Sequence, residues 1–135
     1  MVLLIDANIL LDVLLNRAEF VQDSATIWKL CEVGKAKGYI SALTFANMMY
    51  IMRKHLTAEQ IQDTFQKLSL IFEFAELSVS ILDRAVSMQW KDFEDAIQSA
   101  TARATHADYI ITRNVKDFVH SDVPALMPAE LLNRL

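Results

Sequence analysis

The most informative segment for predicting the fold is the N-terminal Met1-Val-Leu-Leu-Ile-Asp6-Ala-Asn8-Ile-Leu-Leu-Asp12. Its first residues form a short apolar run, which predicts a buried parallel strand over Val2–Ile5. After Asp6 the apolar residues change to helical spacing. Asp6 therefore falls at the carboxyl end of a strand, the edge at which open α/β sheets bind their ligands. The alternative for Asp6 is a helix N-cap, but Asn8 offers a second capping residue nearby.

The composition bounds the class of protein. A chain of 135 residues is the size of one domain, so we expect a single domain over residues 1–135. The net charge of −4 argues against simple electrostatic binding to a nucleic-acid backbone. The only cysteine, Cys31, excludes an internal disulfide and is expected to be a buried apolar side chain. No apolar run approaches the ~18 residues of a membrane span, so we expect a cytoplasmic protein with no membrane contact.

Short β-branched or apolar runs alternate with helical patterns along the chain. The predicted strands are Val2–Ile5, Gly38–Ser41, Ile71–Glu76, Tyr109–Thr112 and Val123–Met127. Helices are predicted over Ala7–Leu15, Ser24–Lys35, Thr44–His55, Thr57–Leu68, Ser80–Met88, Asp92–Thr105 and from Pro128 onward. This alternation predicts an α/β fold, a three-layer α/β/α sandwich whose short, mostly parallel central sheet has about four to five strands.

Two acidic clusters follow Asp6 far along the chain. Asp92 and Asp95 lie three residues apart at the start of a predicted helix, and hence on one face. Asp92 suits an N-cap, whereas Asp95 precedes a run of small, close-packing residues. An acid on the buried side of that helix would be costly unless a metal or hydrogen bonds compensate it.

The second cluster, Thr112-Arg-Asn114-Val-Lys-Asp117-Phe118, follows a predicted strand. At a strand end, the Thr112 hydroxyl and the Asn114 amide can orient a water or a carboxylate. The alternatives are a turn residue for Asn114 and a turn cap for Asp117. Asp12, by contrast, is expected on a solvated helix face. The three histidines are scattered without ligand spacing, which argues against zinc.

Taken together, these motifs resemble the PIN domain, and in particular the compact VapC-like toxins of bacterial toxin–antitoxin modules. The resemblance runs nearly end to end and includes the tail Pro128-Ala-Glu-Leu-Leu. Its most specific segments are Leu-Leu-Ile-Asp6-Ala-Asn8-Ile-Leu-Leu-Asp12, Tyr39-Ile-Ser41-Ala-Leu-Thr44, Asp92-Phe-Glu-Asp95-Ala and Asp108-Tyr-Ile-Ile-Thr112-Arg-Asn114-Val-Lys-Asp117-Phe118.

The resemblance implies a ribonuclease that depends on Mg²⁺ or Mn²⁺ and hydrolyses single-stranded RNA. It places metal ligands at Asp6, Asp95 and Asp92, and Asn114 or Asp117 at the last acidic position. Thr112 would be the hydroxyl that usually occurs beside this last acidic position, and Asn8 would orient the carboxylate of Asp6. It further implies a small antitoxin protein as partner and a homodimer. Candidate contacts to the RNA backbone are the basic side chains Arg17, Lys35, Lys37, Arg53, Lys54, Arg113 and Lys116.

Asn47 departs from the family pattern, because many PIN domains have a glutamate at about this position. An amide can coordinate a hard cation or position water but adds no charge. A PIN-like module that has lost a competent metal site is therefore the main alternative. An aspartyl-phosphate phosphatase of the haloacid-dehalogenase kind is a weaker one, since its Asp-x-Asp motif would need an acid in place of Asn8.

Overall fold

The computed structural model describes all residues, 1–135, and contains one five-stranded sheet whose strands are all parallel. The strand order is β3-β2-β1-β4-β5. The strands are β1 (Val2–Ile5), β2 (Lys37–Ser41), β3 (Glu73–Ala75), β4 (Tyr109–Ile111) and β5 (Ala125–Leu126). The predicted α/β class with a parallel central sheet is confirmed.

Seven α-helices connect or follow the strands. They are α1 (Ala7–Leu14), α2 (Val21–Glu32), α3 (Ala42–Met52), α4 (Ala58–Ile71), α5 (Val79–Met88), α6 (Phe93–Ala104) and α7 (Pro128–Leu132). A 3₁₀ turn, Val115–Phe118, lies between β4 and β5. None of the helices has both the length and the apolar character needed to cross a membrane.

Alternate residues of the strands face opposite sides of the sheet and build separate cores. Leu3 and Ile5 of β1 belong to the larger core, together with residues of α1, α2, α3, α4 and α7. Leu4 of β1 packs instead with Ile110, Ala102 and Phe118 on the other face. Both faces are covered, which gives the predicted three layers and explains why the β1 sequence is apolar throughout.

The third strand is shorter than the predicted Ile71–Glu76. Ile71 is the last residue of α4, and Phe72 is the connection to β3. The apolar run around these residues suited a strand equally well, but Leu68 and Phe72 fill the same core from the helix and its end. The spacing of the capping box at Thr57 and Gln60, which opens α4, was predicted and is confirmed.

Gly38 allows β2 to approach its covering layer closely. A Cβ at this position would lie 2.7 Å from Cδ1 of Phe72 and 2.8 Å from Sγ of Cys31. The Cys31 thiol is buried, as expected, and burial raises its pKa to about 11. The close packing here holds α2 and the end of α4 against β2, while backbone pairing sets β2 beside β1.

Candidate active site at the carboxyl edge of the sheet

Asp6 follows β1 directly and its carboxylate is held by four donors. Oδ1 accepts hydrogen bonds from the Ala7 N–H at 2.8 Å and from Nε2 of Gln98 at 3.3 Å. Oδ2 accepts from Oγ1 of Thr112 at 2.8 Å and from Nδ2 of Asn8 at 3.4 Å. Donors from three separate elements thus fix the orientation of this carboxylate.

The expectation that Asn8 would relieve Asp6 of capping is wrong. Asp6 has extended backbone angles and is itself the N-cap of α1, whereas Asn8 lies inside that helix. The Asn8 amide instead connects neighbours: Nδ2 donates to both Asp6 and Thr112, and Oδ1 accepts from the Arg113 N–H at 3.3 Å. Asn8 therefore helps to position the Asp6 carboxylate.

Thr112 is the buried centre of this hydrogen-bond cluster, with no exposed surface. Its hydroxyl donates to Asp6 and accepts from Asn8 and from the Asn114 N–H, the last at 3.0 Å. Asn114 itself is exposed and its side chain forms no hydrogen bond with the protein. The connection of β4 to the site thus runs through the Thr112 side chain and the Asn114 backbone.

Asp95 stands among carboxylates from several parts of the chain. Its pKa is raised to about 6, first by burial and then by the charges of Asp92, Asp117, Asp6 and Glu94. Asp92 is the N-cap of α6 and accepts the Asp95 N–H at 3.1 Å. The topology therefore brings the predicted acids from β1, α6 and the 3₁₀ turn within electrostatic reach of one another.

Two cavities open beside Asp95. A cleft of about 150 Å³ includes Asp6, Asn47, Glu94 and Gln98 in its lining. A groove of about 870 Å³ includes Asp92 and Asp117. Asp95 borders both, so the cleft and the groove meet at this residue.

Gln98 is a site residue that the sequence analysis missed. It is 7% exposed, donates to Asp6, and its Oε1 is buried in the lining of the cleft without a hydrogen-bond partner. Its position three residues after Asp95, and therefore on the same helix face, was the available signal.

Asp12 is buried, which contradicts its predicted place on a solvated face. Oδ1 lies 3.1 Å from Nη2 of Arg113 and 3.4 Å from Nη1 of Arg17, and Oδ2 accepts from Ser24 at 2.9 Å. The Arg113 guanidinium also lies over the ring of Phe20, at 3.8 Å from its centroid. The Arg113 guanidinium is thus engaged by Asp12 and by the Phe20 ring.

The other basic candidates fall in different places. Lys35 and Lys37 lie at the amino end of β2, the edge opposite Asp6, because all strands run in one direction. Lys37 also pairs with Glu73 there, at 3.4 Å. Lys116 alone among the predicted basic contacts lines the groove beside the acids.

The side chains at this edge offer oxygen ligands to a divalent cation but no complete cage. No three His, Cys, Asp or Glu side chains converge closely enough to hold a metal ion unaided. However, the donors at this edge are carboxylate and amide oxygens, and the unpaired Oε1 of Gln98 is among them. Mg²⁺ is commonly held by one or two carboxylates and keeps several waters, so this set fits Mg²⁺ or Mn²⁺ without an all-protein cage.

A parallel sheet with helices on both faces and acids at its carboxyl edge defines an α/β domain with an acidic candidate active site. Residues 2–116 match the sequence model of the PIN domain. The chain belongs to the PIN-domain family, as its motifs predicted. Among curated proteins, none matches the sequence significantly.

Solved structures of toxin–antitoxin complexes contain chains with the same fold. The chain is 30% identical to one from a toxin-antitoxin complex of Klebsiella pneumoniae, with a TM-score of 0.70 and coverage of 93% of this chain and 96% of that one. A chain of VapBC-1 from nontypeable Haemophilus influenzae gives a TM-score of 0.72 at 17% identity, covering 96% and 99%. A chain of VapBC2 from Rickettsia felis, bound to a promoter DNA fragment, gives 0.69 at 16% identity, covering 94% and 98%.

Proposed function

We propose that this protein is a Mg²⁺- or Mn²⁺-dependent endoribonuclease that hydrolyses single-stranded RNA and is the toxin of a type II toxin–antitoxin module. The observation that carries the proposal is that Asp95 borders both the cleft that contains Asp6 and the groove that contains Asp92 and Asp117, so that the acids converge at one edge of the sheet. Membership of the PIN-domain family and likeness to a Klebsiella pneumoniae toxin–antitoxin complex support it.

The acids would hold the cation chiefly through Asp6 and Asp95, with Asp92 beside them. The bound ion would lower the pKa of a coordinated water and stabilise negative charge on the phosphoryl oxygens. The residues of the chain prepare this site in advance. Thr112, Asn8 and Gln98 fix the Asp6 carboxylate, and the partial burial of Asp95 limits its hydration.

Asp117 and Asn47 have outer places in the proposed site. Asp117 is exposed on the 3₁₀ turn and adds negative field from the groove side. Asn47, on α3, lines the cleft with Asp6 and Asp95, and in this proposal its amide would bind a cation-bound water. Asn114 would act through its backbone N–H on Thr112.

An antitoxin partner is supported by the exposed apolar surface of α3. Tyr50 is 65% exposed and Ile51 is 59% exposed on this helix. Ile51 also lines the cleft that contains Asp6 and Asp95. A protein that covers this face would therefore close the cleft, which provides a physical route to inhibition. The test is whether the product of the neighbouring gene co-purifies and inhibits cleavage.

A homodimer belongs to the same proposal. Val79 and Val86 are 82% and 61% exposed, and they lie two turns apart on α5. Such residues leave apolar surface that a second copy could cover. Sedimentation at micromolar concentration tests this, and a monomer would contradict it.

The deciding experiment is cleavage of single-stranded RNA by the wild type, Asp6→Asn and Asp95→Asn in Mn²⁺ and Mg²⁺. Asp63→Asn, an exposed acid on α4, is the matched control. We expect a loss of roughly 100-fold or more for both site variants and wild-type rates for the control. Cleavage that survives both substitutions would contradict the proposal, whereas absent cleavage together with absent metal binding would favour a non-catalytic PIN-like module.

A further inference from the structure

We propose that the groove of about 870 Å³ beside the acids binds one unpaired nucleotide of the RNA, its base against Trp90 and its phosphate between Lys91 and Lys116. This inference rests on the proposed nuclease function and names residues that would hold the substrate. The volume lies within the range of ligand-binding cavities, roughly 300–1,000 Å³.

The groove has three chemically distinct parts. Its apolar part consists of Met88, Trp90 and Val119. The same lining contains the cationic side chains Lys91 and Lys116 and the acids Asp92, Asp95 and Asp117. A nucleotide has matching parts: a flat base, an anionic phosphate, and phosphoryl oxygens that can share a cation with carboxylates.

Trp90 is held as a fixed platform. It lies in the short connection between α5 and α6, and its ring meets that of Phe118 edge-on, with 6.4 Å between centroids. It packs against the core that contains Leu4 and Phe118 and against a smaller apolar cluster between α5 and α6, while remaining partly exposed. An aromatic ring that is anchored at the back and open to a groove suits stacking with an unpaired base.

The backbone before Trp90 turns sharply. Gln89 ends α5 in the left-handed conformation, with φ of 57°. Helices commonly end in this conformation, which changes the direction of the chain. The left-handed residue turns the chain sharply, which places Trp90 and Lys91 at the groove immediately before Asp92.

The two lysines are available to an anion. Each precedes an acid of the site in sequence, as Lys91-Asp92 and Lys116-Asp117. Both are exposed, and neither forms an ion pair with a carboxylate, although ion pairs form elsewhere on the surface. Their ammonium groups thus offset the acids along the groove and leave a phosphate two cationic partners from different elements.

The test measures binding of a labelled single-stranded RNA of roughly ten nucleotides by fluorescence anisotropy. The parent is Asp6→Asn, which is expected to bind without cleaving. Trp90→Ala should weaken binding by about 5- to 100-fold, and Trp90→Phe by much less, because a flat ring remains. The double variant Lys91→Gln, Lys116→Gln should bind RNA with a weaker salt dependence. The magnitude of the slope of log affinity against log salt should fall by about 0.7 for each lysine replaced.

Lys35→Gln is the matched control, since Lys35 is exposed at the opposite edge of the sheet. If Trp90→Ala does not fold, the proposal is tested by the salt dependence of RNA binding in the double lysine variant, because exposed lysines are not needed for folding. Wild-type cleavage combined with unchanged binding in the Trp90 and lysine variants would overturn the nucleotide subsite and leave the nuclease intact. If no protein in the set binds or cleaves RNA, both proposals are wrong.

Discussion

Asp12 and Arg113, which are 101 residues apart in sequence, form a buried ion pair of 3.1 Å that ties α1 to the segment after β4. Asp12 has no exposed surface, and it also binds Arg17 and Ser24. The backbone of Arg113 in turn donates to Asn8, which contacts Asp6. The ion pair therefore holds in place the segment whose backbone positions Asn8 and, through it, Asp6.

Asp12→Asn should destabilise the protein by about 3–5 kcal/mol, because it leaves the Arg113 guanidinium partly buried without its counter-charge. Urea denaturation measures the change. Asp23→Asn, an exposed acid on α2, is the control and should be neutral. An Asp12→Asn protein as stable as the control would show that the ion pair does not stabilise this region.

Thr112→Val removes the hydroxyl that donates to Asp6 while keeping the shape of the side chain. We expect Mn²⁺ affinity to fall about 10- to 100-fold, the usual effect of losing a group that orients a metal ligand. Calorimetric titration gives the dissociation constant. Thr101→Val removes another buried hydroxyl, one bound only within α6, and should lower stability without changing Mn²⁺ affinity. Equal metal affinities in the two variants would contradict a role for Thr112 in orienting Asp6.

Asp95 should make the metal-free protein sensitive to pH. Its pKa is about 6 in the folded protein against an ordinary value of 3.8, so the folded state binds more protons between these values. Protonation of Asp95 therefore adds to the free energy of unfolding. This contribution is fully present below pH 3.8 and is lost as the pH rises through about 6. At pH 8 in EDTA, Asp95→Asn should therefore melt higher than the wild type, by about 4 °C for roughly 1 kcal/mol after solvent screening.

The difference in melting temperature between Asp95→Asn and the wild type should shrink as the pH is lowered towards 4.5. Saturating Mn²⁺ should reverse it at pH 8, because only the wild type retains the ligand. A wild type more stable than Asp95→Asn at pH 8 without metal would be inconsistent with crowding of carboxylates around this residue.

Asn47→Glu would add a carboxylate to the cleft that contains Asp6 and Asp95. We expect Mn²⁺ binding to tighten roughly tenfold, since affinity for hard cations rises with the number of charged ligands. Asn47→Gln lengthens the side chain without adding charge and is the matched control. Equal calorimetric affinities for the Glu and Gln variants would place Asn47 outside the metal site.

The strand positions and most of the acids could be predicted from sequence because their signals are local. The run Val2–Ile5 is apolar on both faces, as a central parallel strand requires, and Asp6 follows it without a break. Parallel strands all end at one edge, so Asp6 and Thr112 were expected at the same edge, and the pairing of β1 with β4 brings them into contact.

The supporting contacts were harder to predict because they depend on tertiary packing. The four-residue spacing of Asn8 and Asp12 suggested one polar face, yet that face meets Arg113 and Ser24 from distant elements. The residues that flank Asp12 in sequence are apolar, and this was the available sign of burial. The end of α4 was misplaced for a related reason, because an apolar run fits a buried helix end as well as a strand.

The proposed metal-dependent site is tested most directly by the dependence of RNA cleavage on Mn²⁺ in wild-type protein first freed of metal with EDTA. A metal-activated site predicts that cleavage is absent in EDTA and returns on titration with Mn²⁺, with half-maximal rate near the calorimetric dissociation constant. Asp6→Asn should show no such return at any Mn²⁺ concentration that saturates the wild type. Two results would contradict the assignment of this edge as a metal-dependent ribonuclease site. One is wild-type cleavage that continues undiminished in EDTA, and the other is an Asp6→Asn protein that cleaves at the wild-type rate when Mn²⁺ is added.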